Sequence, residues 1–85
     1  MKSKRVEIEF YPYEFEALLA NRMISDMGGK YLKSAEKRGD YVVLEIFIHE
    51  ANDLAGWVAA EANHAKSEHE SDLLNAACDA IELSI

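Results

Sequence analysis

Eighty-five residues with 49% hydrophobic content and one proline make a single globular domain, not a disordered chain or a string of modules. The net charge of −7 divides as +1 over residues 1–40 (eight Lys/Arg, seven Asp/Glu) and −8 over residues 41–85 (Lys66 against nine Asp/Glu). That balance argues against direct nucleic-acid binding, which needs clustered cations to neutralise phosphates.

The lone Cys78 allows no internal disulfide framework. No apolar run approaches the ~18 residues of a membrane span. The start, MKSKRVEIEF, lacks the apolar stretch of ~7–15 residues that marks a signal peptide. The expectation is a cytoplasmic, soluble protein with no membrane partner.

In chain order, Val6-Glu7-Ile8-Glu9-Phe10 alternates apolar and acidic residues, the period of a strand with one buried face. Pro12 suits the first turn of a helix, with Glu14 and Glu16 near its positive end. Phe15, Leu18, Leu19, Met23 and Met27 then form an apolar stripe at helical spacing, and Gly28-Gly29 supplies a C-cap. This predicts one helix over residues 12–27. KYLKSAEK, residues 30–37, reads as an edge strand guarded by lysines, followed by turn chemistry at Arg38-Gly39-Asp40. Residues 41–48, YVVLEIFI, are β-branched and almost wholly apolar, which places them centrally in the sheet. Only Glu45 interrupts them.

After His49 the pattern becomes an alanine-rich helix, with Asn52 or Asp53 as cap and Leu54, Trp57, Val58, Glu61, Ala62 and Ala65 at helical spacing. Gly56 in its interior suggests a close helix contact. Ser67-Glu68-His69-Glu70 has the form of a capping box. The last helix carries Leu74, Ala77, Cys78, Ile81 and Ile85 on one face.

The fold class expected is α+β in the order β-α-β-β-α-α. A three-stranded antiparallel or mixed sheet of order 1-3-2 packs with one crossover helix and a C-terminal helix pair. The pair covers the second sheet face or extends the first helix layer.

Catalytic, metal and cofactor signals are weak. Glu61-x-x-His64 has a spacing used in di-metal bundles, but those need two such motifs and two further glutamates. With His69 these residues reduce to an inter-helix turn. His49-Glu50 lacks the second histidine of a zinc-protease helix, and Gly28-Gly29-Lys30 follows a helix where a phosphate loop follows a strand. Cys78 sits among apolar residues and beside Asp79, which raises a thiol pKa. Glu45 in an apolar strand is a candidate general acid or base, or the partner of a lysine on the neighbouring strand. The expectation is no enzyme, no metal and no cofactor.

Binding signals are stronger. FYPYEF, residues 10–15, holds four of the eight aromatics, and Tyr11 and Tyr13 at its corner are free for an interface. Glu61, Glu68, Glu70 and Asp72 concentrate negative charge on the C-terminal helices, and a basic partner follows from them. Tyr41, Val43 and Phe47 become an exposed apolar patch if the helix pair leaves their sheet face open, and a homodimer would cover it. The favoured reading is a small acidic protein-binding module, such as an inhibitor of phage or mobile-element type that occupies the groove of a nucleic-acid-binding protein. One alternative is a small-molecule or metal site around His49, Trp57, His64 and Glu45. The other is a homodimeric accessory protein.

Overall fold

The chain begins with strand β1 (Arg5–Phe10), in which Ile8 and Phe10 are fully buried while Glu7 and Glu9 face outward. The computed structural model describes residues 4–85. Helix α1 (Pro12–Ala20) starts on the proline, and the Tyr11 amide donates to Glu14 Oε1 at 2.8 Å. Helix α2 (Arg22–Leu32) follows after one residue. Next come the short strand β2 (Glu36–Arg38) and strand β3 (Tyr41–Phe47), joined through Gly39-Asp40. Gly39 has φ of +60° and no other residue described has a positive φ, the pattern of a type II′ hairpin turn. Helix α3 (Ile48–Asn63) and helix α4 (Glu68–Leu83) complete the fold.

The sheet is antiparallel with order β1-β3-β2. The α+β class, the central place of β3 and the strand order agree with the sequence. The core forms on one sheet face only. Ile8, Phe10, Leu44 and Ile46 join residues from all four helices in one cluster, among them Leu18, Ile24, Leu54, Val58, Leu74 and Ile81. The α3–α4 pair therefore extends the first helix layer and leaves the opposite sheet face without a helix.

The expected helix over 12–27 is broken at Asn21. This residue has an extended backbone, its amide closes α1 on Ala17 O, and its Oδ1 accepts the Ile24 amide at 3.0 Å as cap of α2. Its Nδ2 donates to Glu61 Oε1 on α3 at 3.1 Å. The break resets the helical phase. Ile24, Gly28 and Leu32 now face the core, while Leu19, Met23 and Met27, expected inside, are exposed.

Gly28-Gly29 lies within α2, not at its end. The residues expected as the start of a strand, Lys30 to Leu32, form the last turn of this helix. The Lys33 and Ala35 amides bond back to Gly29 and Leu32 carbonyls, so only three residues remain for β2.

Helix α3 begins earlier than expected, because the Phe47 amide donates to Glu50 Oε1 at 2.9 Å. Asn52 is inside it, donating to the Ile48 carbonyl. The Ser67 cap is present, its Oγ accepting the Glu70 amide at 3.1 Å. Ser71 Oγ donates to Ala62 O and ties the two helices together.

The close helix contact falls at Gly28 and not at Gly56. A Cβ at Gly28 would stand 3.2 Å from Leu54 Cδ1 and 3.6 Å from Trp57 Cζ3, whereas Gly29 and Gly56 have open space. Gly28→Val is expected to lower unfolding stability by about 1–3 kcal/mol through overpacking. Gly29→Ala and Gly56→Ala should each raise it by up to ~1 kcal/mol through helix propensity. Urea unfolding of the three variants checks the opposite signs.

Candidate protein-binding surface

Helix α4 owes its place to Leu74, Ala77, Cys78 and Ile81, all buried against the core. Its outer side carries Glu68, Asp72, Asn75, Asp79 and Glu82, all exposed. Steps of four and three residues put them in one line along the helix, which at 16 residues is about 24 Å long. Across α3 and α4 there are eight carboxylates and no Lys or Arg. Lys66 stands in the turn between them. Among the described residues every ion pair lies on the sheet: Arg38 with Glu7 and Glu36, and Arg5 with Glu45. Among the described residues the carboxylates of α3 and α4 therefore meet no protein cation.

The structure divides the four acidic residues singled out in the sequence. Glu68 and Asp72 belong to the outer line. Glu61 is half-buried and engaged by Asn21, and Glu70 is half-buried beside the Ser67 cap. Asp79 and Glu82 extend the line toward the end of the helix. Their spacing from Asp72, seven and ten residues, is the sequence signal that identifies them.

The tyrosines of the β1–α1 corner are exposed, Tyr11 by 46% and Tyr13 by 53%. Their rings stack at 5.6 Å, and Tyr11 also meets Tyr41 of β3 at 5.3 Å. Tyr41 is thus part of an aromatic corner that the sequence split between two sites. The neighbouring Tyr11 phenol chiefly raises the Tyr41 phenol pKa, followed by desolvation and the Glu9 and Asp40 carboxylates.

The expected apolar patch of Tyr41, Val43 and Phe47 is not contiguous. These residues alternate along the open face with Glu45, and Val43 is only 5% exposed. The Arg38 guanidinium reaches from β2 across β3 to Glu7 Oε2 on β1 at 2.8 Å, on the face that Val43 shares. Phe47 is half-buried, with Arg5 over its ring at 5.0 Å and His49 stacked on it at 5.8 Å. Glu45 is exposed and 3.7 Å from Arg5.

An open groove of about 730 Å³ runs between β1 and the second half of α4. Glu7, Glu9 and Glu14 line one side and Asp79 the other, with Arg38 as the one cation. Val43, Ala76, Ala80 and Leu83 supply apolar surface, and Tyr11 closes one end. This groove was not legible in the sequence, because nothing in either segment announces that α4 lies beside β1.

The residues of the alternative ligand site do not converge. His49 lies in the first turn of α3 and His64 caps its far end, about 22 Å away at 1.5 Å per residue. Trp57 is half-buried and stacked on Tyr31 at 6.2 Å. No group of three or more His, Cys, Asp or Glu residues is placed to hold a metal among the described residues, and His64 and His69 are both exposed around the turn. No helix described is long and apolar enough to cross a membrane.

Cys78 Sγ lies 3.6 Å from both the Ala55 carbonyl and Glu82 Oε1. Burial first, then the Glu82 carboxylate, push its pKa up to about 11.

No family model matches the chain, and no curated protein or solved structure matches it either.

The Cys78 thiol is expected to resist alkylation at neutral pH in the folded protein and to react once the chain is unfolded. The unfolded thiol, with its ordinary pKa near 9, loses its proton first as pH rises. Its contribution to stability is thus complete below about pH 9 and is lost toward about pH 11. Cys78→Ala should flatten that part of the stability–pH curve relative to the parent protein.

Proposed function

We propose that the protein is a binding module, not an enzyme, and that it holds a basic partner protein through the acidic outer line of α4. The observation that carries this reading is the unneutralised line itself. Glu68, Asp72, Asp79 and Glu82 are exposed on one helix, and the ion pairs among the described residues stay on the sheet. Like charges along one helix face repel each other, at a few tenths of a kcal/mol per close pair. The helix dipole accounts for Glu68 in the first turn, but gives no reason for Asp72, Asp79 and Glu82. A cationic partner turns the repulsion into attraction and steers encounter.

The more specific form of the proposal is an inhibitor. A nucleic-acid-binding protein presents a groove lined with Lys and Arg to accept phosphates. A rigid helix about 24 Å long with carboxylates along it offers that groove the same sign of charge. The tyrosine corner adds exposed aromatic area, which interfaces favour for its large contact surface at low entropic cost.

Tagged protein in an extract of its source cells should retain a basic protein at about 0.1 M salt and release it as salt approaches about 1 M, where the Debye length falls from about 10 Å to about 3 Å. Reversing the line with Glu68→Lys, Asp72→Lys, Asp79→Lys and Glu82→Lys should abolish retention while leaving the circular dichroism spectrum folded. Undiminished retention of the same partner by the reversed variant would refute the reading.

A further inference from the structure

The free edge of β1 opens into the acidic groove, and its backbone there is unpaired. The Ile48 amide donates to the Lys4 carbonyl at 2.8 Å, and the register carries Val6 opposite Ile46, Ile8 opposite Leu44 and Phe10 opposite Val42. In an antiparallel ladder, residues alternate between bonding to the neighbour and pointing away from it. Counting by twos from Lys4, the backbone groups of Val6, Ile8 and Phe10 bond to β3, and those of Arg5, Glu7 and Glu9 point to the outer edge. The β2 side agrees, since the Arg38–Tyr41 and Glu36–Val43 pairs use the other set of β3 residues. Among the described residues no backbone or side-chain partner meets the outward groups of Glu7 and Glu9. Glu7 and Glu9 both line the groove whose far wall is Asp79, Ala80 and Leu83 of α4.

We propose that this groove takes an extended basic segment of the partner protein, added as a fourth strand on the edge of β1. The inference rests on the reading of the protein as a module for a basic partner and names the mode of attachment. An unprotected edge is a template for another strand, and strand addition takes its affinity from main-chain hydrogen bonds and its specificity from alternate side chains. A strand seated about 4.8 Å from β1 would have its side chains opposite Glu7 and Glu9 on the open sheet face. Glu9, which has no ion-pair partner among the described residues, selects Lys or Arg most strongly, because opposite charges across a pair stabilise it; Glu7 already holds Arg38. The intervening side chains would turn toward the helix layer, where Ala76, Ala80 and Leu83 leave room for small apolar residues. Leu83 is 88% exposed in the free chain, which gives such residues an apolar surface to cover. At the end of the groove Tyr11, packed with Tyr13 and Tyr41, adds exposed aromatic surface. The preferred segment therefore alternates basic and small apolar residues over about five positions.

Charge decides between a foreign segment and a second copy of this chain. Four carboxylates against one guanidinium line the groove. Two copies joined edge to edge through β1 would also bring together two α4 helices that hold only acidic charged residues, and like charges across such a contact cost affinity.

The test uses the full chain and synthetic peptides. One peptide alternates Lys with Val and Ala, and a second has the same composition with its lysines in a block. Two more carry N-methyl groups on one or the other alternate set of amides in the alternating peptide. Binding is followed by NMR shifts and by amide hydrogen exchange. The expected result is that the alternating peptide binds at least about tenfold more tightly than the blocked one and slows exchange of the Glu7 and Glu9 amides. N-methylation of one alternate set should weaken binding by at least about tenfold, and of the other set hardly at all. Glu9→Lys with Asp79→Lys should weaken binding in a protein whose spectrum remains folded.

Equal binding of both N-methylated peptides, with shifts confined to α4, would overturn strand addition while leaving the acidic-surface reading intact. Absence of peptide binding by a protein that still retains its basic partner in the extract assay would do the same. A concentration-dependent dimer that protects the Glu7 amide without peptide would overturn the proposal in favour of a second copy.

Discussion

The sheet of this protein is covered on one side only, and the rest of the structure follows from that constraint. Three strands cannot close on themselves, so their apolar face must be buried by helices, and here four helices share it. The other face has to be soluble without cover. Glu7 lies directly opposite Glu45 in the register, a pairing that is unfavourable alone. Arg38 relieves it from one side and Arg5 from the other. Each is a solvated ion pair of small individual worth. Together they let the open face around a strand as apolar as β3 be mostly charge, supplied by β1 and β2, with Val43 sheltered.

Crowding four helices onto one face of a small sheet requires the first helical segment to turn. Asn21 makes the turn, with one side chain capping α2 and bracing α3 through Glu61. The new direction brings α2 against α3 closely enough that position 28 has no room for an unadjusted side chain. Trp57 fills the space beside it and stacks on Tyr31. Asn21 and Gly28 thus act as a pair, one setting the direction of α2 and the other permitting its depth. The cost is an apolar remainder: Leu19, Met23 and Met27 sit at correct helical spacing for a helix that does not continue.

That remainder shows where sequence reading succeeds and where it stops. The alternation in β1, the apolar run of β3 and the Ser67 cap are local signals, each with one physical meaning, and they located the elements and the strand order. The break at Asn21 was hidden because Phe15, Leu18, Leu19 and Met23 fit an unbroken helix equally well. A single Asn is a weak cap signal until Glu61, forty residues away, is known to meet it. Gly56 and Gly28 looked alike as letters, and only the neighbour decides which needs to be glycine. For the binding surface, the charge imbalance between the two halves was plain. Its distribution was not, because Glu61 and Glu70 differ from Asp79 and Glu82 only in what the fold places beside them.

Helix α4 joins these strands of argument. Its buried face is short-chained and apolar, so it is held by burial and needs nothing from its outer face. Burial of residues such as Leu74 and Ile81, at roughly 1.5–3 kcal/mol each, exceeds the repulsion among four exposed carboxylates, which water and salt screen over about 8–10 Å. The fold can therefore carry an uncompensated line of charge without being threatened by it. The same helix packs alongside β1 yet takes none of its outward backbone hydrogen bonds, so a strand edge stays unpaired beside that charge. An edge alone invites any strand, including one from another copy, and natural proteins usually blunt such edges with charge. Here Glu7 and Glu9 on the edge and Asp79 on the opposite wall outweigh the one guanidinium of Arg38, which is paired with Glu7. The device that guards the edge against indiscriminate pairing is then also the device that selects a basic strand to fill it.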